Sequence, residues 1–327
     1  MVRIGIVRKG NKKMNIILNN YCNLNCKYCF AKGVMSKNKR HMTMEDFNYS
    51  LDFLKQSSER VVKLLGGEPT LHPNFNGIIY SIKSDSYFEG MLLFTNGYFD
   101  KETLRSLKYF SKYKELYLLI NLNHLDDIGK EAYNNILDNI KALNKIQSIQ
   151  ITLSLNIYKK EQDFKYFIDV YEDVDLNFVR WSLSVPTEEK DKSNPTKYIK
   201  KLIPTAIRFI KETSNLGLSV TTDCFQIPIC LLNNKDLRLL ALSGKDNIGK
   251  PCSPIIDVKP NLKIIRCFAL DSHEVDLKDF SNIEELRYYF SNEIDKKQEP
   301  SFDKCKSCAS YKKHEKSCVC LAFGGDK

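Results

Sequence analysis

The 327-residue chain has no run approaching the roughly 20 consecutive apolar residues of a membrane-spanning helix, so no spanning segment is expected. Its first ten residues hold too short an apolar stretch for a secretory signal, which makes the cytoplasm the default expectation. It also lacks internal repeats, low-complexity tracts and long linkers, so neither a repeat array nor a string of hinged modules is expected. Charge of one sign is not segregated. The formal +10 arises from 50 basic residues spread among 40 acidic ones, with modest basic clusters at 37–40 and 304–316. That distribution reads as a solvated lysine-rich surface and argues against nucleic acid as a partner. What remains is 43% hydrophobic and 28% charged, an ordinary soluble composition, in a chain long enough for one large α/β unit and a smaller module.

The unusual content is cysteine. Eleven thiols in a reducing compartment do not make a disulfide framework, so metal or cluster ligation is the expected use. Three of them, Cys22, Cys26 and Cys29, fall within eight residues, just after the apolar run 14–18 that reads as a strand. A strand-end loop with three thiols can hold three irons of a cuboidal 4Fe-4S cluster and leave the fourth open to a small ligand. Zinc is the alternative, but zinc sites pair C-x2-C units and need a fourth ligand nearby. The nearest candidate, His41, is twelve residues on. A 4Fe-4S core of about +2 leaves about −1 with three thiolates and about −2 with four, so a loaded protein is less basic than the count suggests.

The remaining pattern is an alternation. Strands are expected at 60–65, 91–94, 116–122, 149–156 and 176–185. Helices are expected from the Thr43 cap to about 55, and at 75–81, 101–109, 131–144, 163–171 and around 204–216. Six strand–helix units imply a parallel sheet with right-handed crossovers, a partial (β/α)6 barrel whose chemistry lies at the C-terminal strand ends. The cysteine loop, the turn Gly66-Gly67-Glu68-Pro69 and the turn Thr95-Asn96-Gly97 all fall at such ends. From 218 the alternation fails and eight of the eleven cysteines follow: Cys224, Cys230, Cys252, Cys267, Cys305, Cys308, Cys318 and Cys320. The expected division is a tail at 1–13, a barrel at 14–217 and a cysteine-rich module at 218–327.

The C-x3-C-x2-C loop and Gly66-Gly67-Glu68-Pro69 together resemble the signatures of the radical S-adenosylmethionine (radical SAM) superfamily. The resemblance implies a cluster on Cys22, Cys26 and Cys29 whose open iron chelates the amino and carboxylate groups of SAM. One electron then cleaves SAM to methionine and a 5′-deoxyadenosyl radical that takes a hydrogen atom from the substrate. It implies that the Gly66–Glu68 turn meets the SAM amino group. Two glycines allow a close backbone approach, and a carbonyl and the Glu68 carboxylate can accept from an ammonium. Tyr28 holds the position expected to lie against adenine, with packing as its other reading. Period-two alternation puts Asn121 and Asn123, then Ser154 and Asn156, on one face, where relatives hold the ribose and carboxylate of SAM. Arg180, Trp181 and Ser182 on the sixth strand are expected near substrate or SAM, or, for Trp181, in the core.

The C-terminal spacing resembles a SPASM domain, or its shorter twitch form, which carries auxiliary clusters in peptide-modifying relatives. Residues 257–267 resemble its hairpin ending in a ligand cysteine, with Leu262 where the family has glycine. The later spacing departs from the family pattern, and no cysteine follows Cys320. One auxiliary 4Fe-4S cluster on Cys252, Cys267, Cys320 and Cys230, or a second on Cys305, Cys308 and Cys318, remain open assignments. A zinc on Cys305, Cys308, Cys318 and Cys320 is the rival. Cys224 and Cys230 flank a Pro-containing turn as ligands or free thiols.

The resemblance implies a peptide substrate made on the ribosome, to be crosslinked, epimerised or oxidised, and a low-potential donor such as flavodoxin or ferredoxin. About a dozen residues precede the first strand, so leader recognition is expected from a separate protein or from the barrel. The rival enzyme reading is small-molecule or cofactor biosynthesis; a non-catalytic iron–sulfur or zinc protein is a distant third. An extended peptide adds to an exposed sheet edge, so an open channel is expected near 181–186 and 224–230.

Overall fold

The computed structural model describes residues 14–29, 31, 39–174, 176, 178–223, 227–243, 256–268, 271, 273–297 and 303–309. Seven strands run parallel in chain order: β1 (Met14–Ile17), β2 (Val61–Leu65), β3 (Gly90–Thr95), β4 (Glu115–Asn121), β5 (Ile149–Ile157), β6 (Phe178–Leu183) and β7 (Ser219–Thr222). Three more, β8 (Ile256–Val258), β9 (Lys263–Ile265) and β10 (Glu274–Asp276), extend the same sheet beyond β1. This is the α/β partial barrel that the alternation implies.

Each crossover helix forms for local reasons. Thr43 accepts the Asp46 amide at 3.0 Å to start Met44–Gln56, and Asp100 accepts the Thr103 amide at 2.8 Å to start Lys101–Phe110. Apolar residues at helical spacing (Phe47, Leu51 and Leu54; Ile78, Ile79 and Ile82; Ile136, Ile140 and Leu143) are buried with Val62, Leu64, Leu93, Leu118 and Leu153 of the strands. Each such side chain contributes about 1.5–3 kcal/mol, which fixes which sheet face meets the helices. The alternate residues therefore line the inner face. Register brings Asn121, Ser154 and Arg180 onto one row there.

Three expectations change. The helix placed at 204–216 is Pro195–Asn215. Asn194 caps it, Pro195 fills its first turn, where a missing amide costs nothing, and Pro204 lies inside. Second, the alternation expected to fail at 218 continues through β7, which pairs with β6. Third, the β1 edge is not free. β8 pairs with it in parallel register, Met14 with Ile256, Asn15 with Asp257 and Ile16 with Val258. The other sheet end is extended as well, so no edge of the six-unit barrel is left bare beside the mouth. Of the borders expected for an open channel, Trp181, Ser182, Leu183, Ser184 and Pro186 are buried, Cys230 is exposed, and residues 224–226 lie outside the described residues.

The β8–β9 hairpin expected at 257–267 is present, and Cys267 follows its second strand. Leu262 sits at its turn with φ of 59°, the left-handed region that glycine adopts without strain. Burial of its side chain, 3% exposed, offsets that strain.

Candidate active site

Cys22, Cys26 and Cys29 stand on the loop that leaves β1 after Leu18, each partly buried. The loop's stem is stitched to the turn after β2. Gly67 donates its amide to the Asn19 carbonyl (3.1 Å) and Glu68 to the Tyr21 carbonyl (2.8 Å). The Asn19 side chain donates to the Glu68 carbonyl at 2.8 Å. A Cβ on Gly67 would overlap the Tyr21 carbonyl carbon and oxygen, and one on Gly66 would meet Asn19 O and Oδ1 at 2.8 Å. The close approach that both glycines permit includes one to the cysteine loop's own backbone, which the sequence did not suggest.

Glu68 also departs from expectation. Its side chain is fully buried, and its carboxylate accepts from the Thr70 amide (3.2 Å), Thr70 Oγ1 (2.7 Å), Thr95 Oγ1 (2.8 Å) and the Asn96 amide (2.8 Å). Burial raises this carboxyl above its ordinary range while those hydrogen bonds pull it down. Four internal donors leave it little capacity for an external ammonium. It acts as a tie between the β2 and β3 ends.

That tie aims Asn96 at the cluster loop. Asn96 Nδ2 lies 3.5 Å from Cys22 Sγ and 2.8 Å from Asn23 Oδ1; the Leu24 amide lies 3.4 Å from the same sulfur. Asn123, just past β4, points its Nδ2 at Cys26 Sγ (3.6 Å) and accepts the Tyr28 hydroxyl at 2.6 Å. Burial pushes the Cys22 thiol up and the Cys26 thiol up to about 11, with the charge of Cys29 adding to the rise at both and that of Cys22 adding at Cys26. Three partly buried thiols on one loop, two of them with N–H donors at sulfur, fit a 4Fe-4S core, whose positive charge would ionise them. Among the described residues no three His, Cys, Asp or Glu side chains gather as a single metal ion requires.

Residues 16–174 match the sequence model of the radical SAM superfamily. Residues 16–174 are a radical SAM domain. A protein of Pyrobaculum aerophilum named "Probable GTP 3′,8-cyclase" is 31% identical over 98 residues, 30% of this chain and 31% of that one. A Methanocaldococcus jannaschii protein named as a glycyl-radical enzyme activating enzyme is 30% identical over 148 residues, 45% of this chain and 51% of the other. The chain thus spans a third to a half of the length of these curated relatives. In fold, it resembles SuiB of Streptococcus suis, crystallised with S-adenosylmethionine: TM-score 0.63, 14% identity, 94% of this chain and 72% of that one. A second SuiB structure, with its precursor peptide SuiA, gives the same TM-score of 0.63 at 15% identity, over 94% of this chain and 71% of that one.

Within the radical SAM domain the later strand-end residues converge as the period-two reading implies. Asn156 Nδ2 donates to Asn121 Oδ1 (3.3 Å) and Ser182 Oγ to Asn156 Oδ1 (2.6 Å); Ser154 is buried in register with Asn121. Thr95 and Asn96 form a separate group, tied to Glu68 and to the cysteine loop. Trp181 is 3% exposed in the apolar core, not at a ligand surface. Arg180 lies on the inner face, ion-paired with Asp223 and over the Phe94 ring at 5.9 Å. Sequence reasoning missed Tyr158, whose ring lies 5.3 Å from Tyr28 and whose hydroxyl donates to Asp127 (2.7 Å). The signal was available, since Tyr158 is two residues beyond Asn156 on the same strand face. Asn19, the stitch under the loop, carries no such signal.

Of the auxiliary candidates, Cys230 is exposed, Cys267 partly buried, Cys305 buried and Cys308 partly buried, with the Cys308 amide on the Cys305 carbonyl at 3.1 Å. Cys224, Cys252, Cys318 and Cys320 lie outside the described residues, as does the tail at 1–13. Among the described residues no helix is long and apolar enough to cross a membrane.

Proposed function

We propose that this chain holds a 4Fe-4S cluster on Cys22, Cys26 and Cys29, cleaves SAM reductively and removes a hydrogen atom from a ribosomally made peptide. The observation that carries it is the three cysteines on one strand-end loop, with N–H donors from Leu24 and Asn96 at the Cys22 sulfur and from Asn123 at the Cys26 sulfur. The cluster, when bound, supplies the electron that breaks the carbon–sulfur bond of SAM. The chain's own residues do the rest. Asn96 and Asn123 donate to sulfur and so favour the electron-rich state. Tyr28, fixed by Asn123 and faced by Tyr158, offers a flat surface for adenine. Asn121, Asn156 and Ser182 form a linked polar row for ribose or carboxylate.

A peptide substrate is supported by likeness over nearly the whole chain to a fold crystallised with its precursor peptide. At least one auxiliary cluster is part of this proposal, on ligands from Cys230, Cys252, Cys267 and Cys320, with Cys305, Cys308 and Cys318 serving a second. A flavodoxin or ferredoxin would supply electrons, and a separate protein could present the peptide. The small-molecule reading draws on the GTP cyclase relatives. Anaerobic incubation with SAM and dithionite tests the first step: 5′-deoxyadenosine forms with wild type and not with the C22A/C26A/C29A variant. Mass shifts on peptides encoded beside the gene, against shifts on GTP, decide between the substrates.

A further inference from the structure

The inner face holds a buried acceptor pair that the steps above do not use. Asn15 of β1 and Asp257 of β8 are register partners, and Asn15 Nδ2 donates to Asp257 Oδ1 at 2.7 Å. They are 6% and 4% exposed. Asn15 Oδ1 is buried without a hydrogen-bond partner among the described residues. Turning the amide over would set its oxygen against the carboxylate, so the orphan acceptor is fixed by Asp257. A buried orphan acceptor costs about 1–3 kcal/mol, a penalty a fold retains where a ligand satisfies it.

Among the described residues no cation is hydrogen-bonded to Asp257. Arg266, after β9, acts on it only through space and gives hydrogen bonds to Asp295, with Nε at 2.9 and 3.1 Å from the carboxylate oxygens and Nη2 at 2.6 Å, while its Nη1 is buried without a hydrogen-bond partner among the described residues. Asp223, after β7, adds a like charge from the opposite end of the sheet and is itself paired with Arg180. Lys63, on the strand beside β1, is paired with Glu59. Burial, reinforced by Asp223 and opposed by Asn15 and Arg266, pushes the Asp257 carboxyl up to about 7. Three features coincide here: a carboxylate with no cation hydrogen-bonded to it among the described residues, a neighbouring acceptor without a partner, and a position on the face shared with the row Asn121, Ser154 and Arg180.

We propose that Asn15 and Asp257 form a binding subsite for a cationic nitrogen, the ammonium or guanidinium end of a long substrate side chain. An N–H donor with several hydrogens can satisfy Asn15 Oδ1 and the carboxylate together, which neither a neutral hydroxyl nor an anion can. Asn15 lies four residues before Asn19, about 13 Å down the strand from the cysteine loop at roughly 3.3 Å per residue. A four-carbon stem covers under half of that depth, so the rest of the substrate must enter the mouth with it. That the occupant is substrate rests on the reading above; that the subsite takes a cation does not.

The probe is n-butylammonium, with 1-butanol as its neutral counterpart, in equilibrium dialysis against cluster-loaded protein. One saturable equivalent is expected at pH 8. Binding should be about tenfold weaker at pH 6, because the ionised fraction of a carboxyl near 7 falls from about 0.9 to about 0.1. Asp257→Asn should abolish it and Asn15→Leu weaken it, while 1-butanol should not compete. Saturable binding that is absent, insensitive to Asp257→Asn or equally displaced by 1-butanol overturns the proposal. If Asp257→Asn fails to fold by circular dichroism, the wild-type pH dependence decides: a flat profile overturns it. None of these readouts needs SAM cleavage, so failure of the catalytic reading is seen separately.

Discussion

Gly67→Ala is the sharpest perturbation of the site that leaves every cysteine and polar ligand candidate in place. The new methyl must displace the Tyr21 carbonyl, which is backbone and cannot rotate away. Separating the β2 turn from the cysteine-loop stem loses Gly67 N to Asn19 O (3.1 Å) and Glu68 N to Tyr21 O (2.8 Å). Two such bonds at about 1 kcal/mol each, with about 1–3 kcal/mol for overpacking, give a destabilisation of about 3–5 kcal/mol. Against a typical total of about 5–15 kcal/mol, the variant should fold but melt early. Gly66→Ala should cost less, since it meets Asn19 atoms at 2.8 Å, one of them on a side chain. Urea denaturation followed by circular dichroism measures both, and iron content after anaerobic reconstitution reports the loop. A loss below about 1 kcal/mol for Gly67→Ala, with full iron loading, would refute the packing role. Wild-type stability with weakened SAM binding would restore the ligand-approach role.

Asp257→Asn should remove a pH dependence. The folded carboxyl titrates near 7 and an unfolded one near 3.9, so the folded chain binds more protons between those values. The stability it contributes is full below about pH 4 and lost as pH rises through 7; the variant should gain up to about 4 kcal/mol at pH 8, and equal slopes for both proteins would contradict this. Asn123→Ala strips a donor from Cys26 and an acceptor from the Tyr28 hydroxyl. It should shift the cluster potential and weaken SAM affinity by roughly tenfold, by redox titration and calorimetry; an unchanged potential removes the Cys26 contact from the account. Iron and sulfide assays should give about eight of each per chain for one auxiliary cluster and about twelve for two, whereas four with one zinc favours a structural metal. Lys27→Ala should change stability by less than about 1 kcal/mol in denaturation, because the Lys27 ammonium paired with Asp127 is exposed.

Sequence alone determined the parts set by local chemistry. Alternating apolar periods placed the first six strands and the helices between them, and the Thr43 and Asp100 caps are where side-chain acceptors belong. The cysteine spacing located the cluster loop, because three thiols within eight residues have few other uses. The side-chain row Asn121, Ser154, Asn156 was legible because a strand's period is two. Tertiary structure decided everything that depends on which distant segments meet. For Glu68 and the two glycines the sequence suggested only a ligand role. Their contacts with Asn19, Tyr21 and Thr95 come from adjacent strand ends. β7 and the β8–β9 hairpin are too short for periodicity to reveal, and long-range pairing with β6 and β1 makes them strands. Asn15 and Asp257 are 242 positions apart. Each alone is an unremarkable polar residue in an apolar strand, and only the ladder between β1 and β8 turns them into a buried acceptor pair.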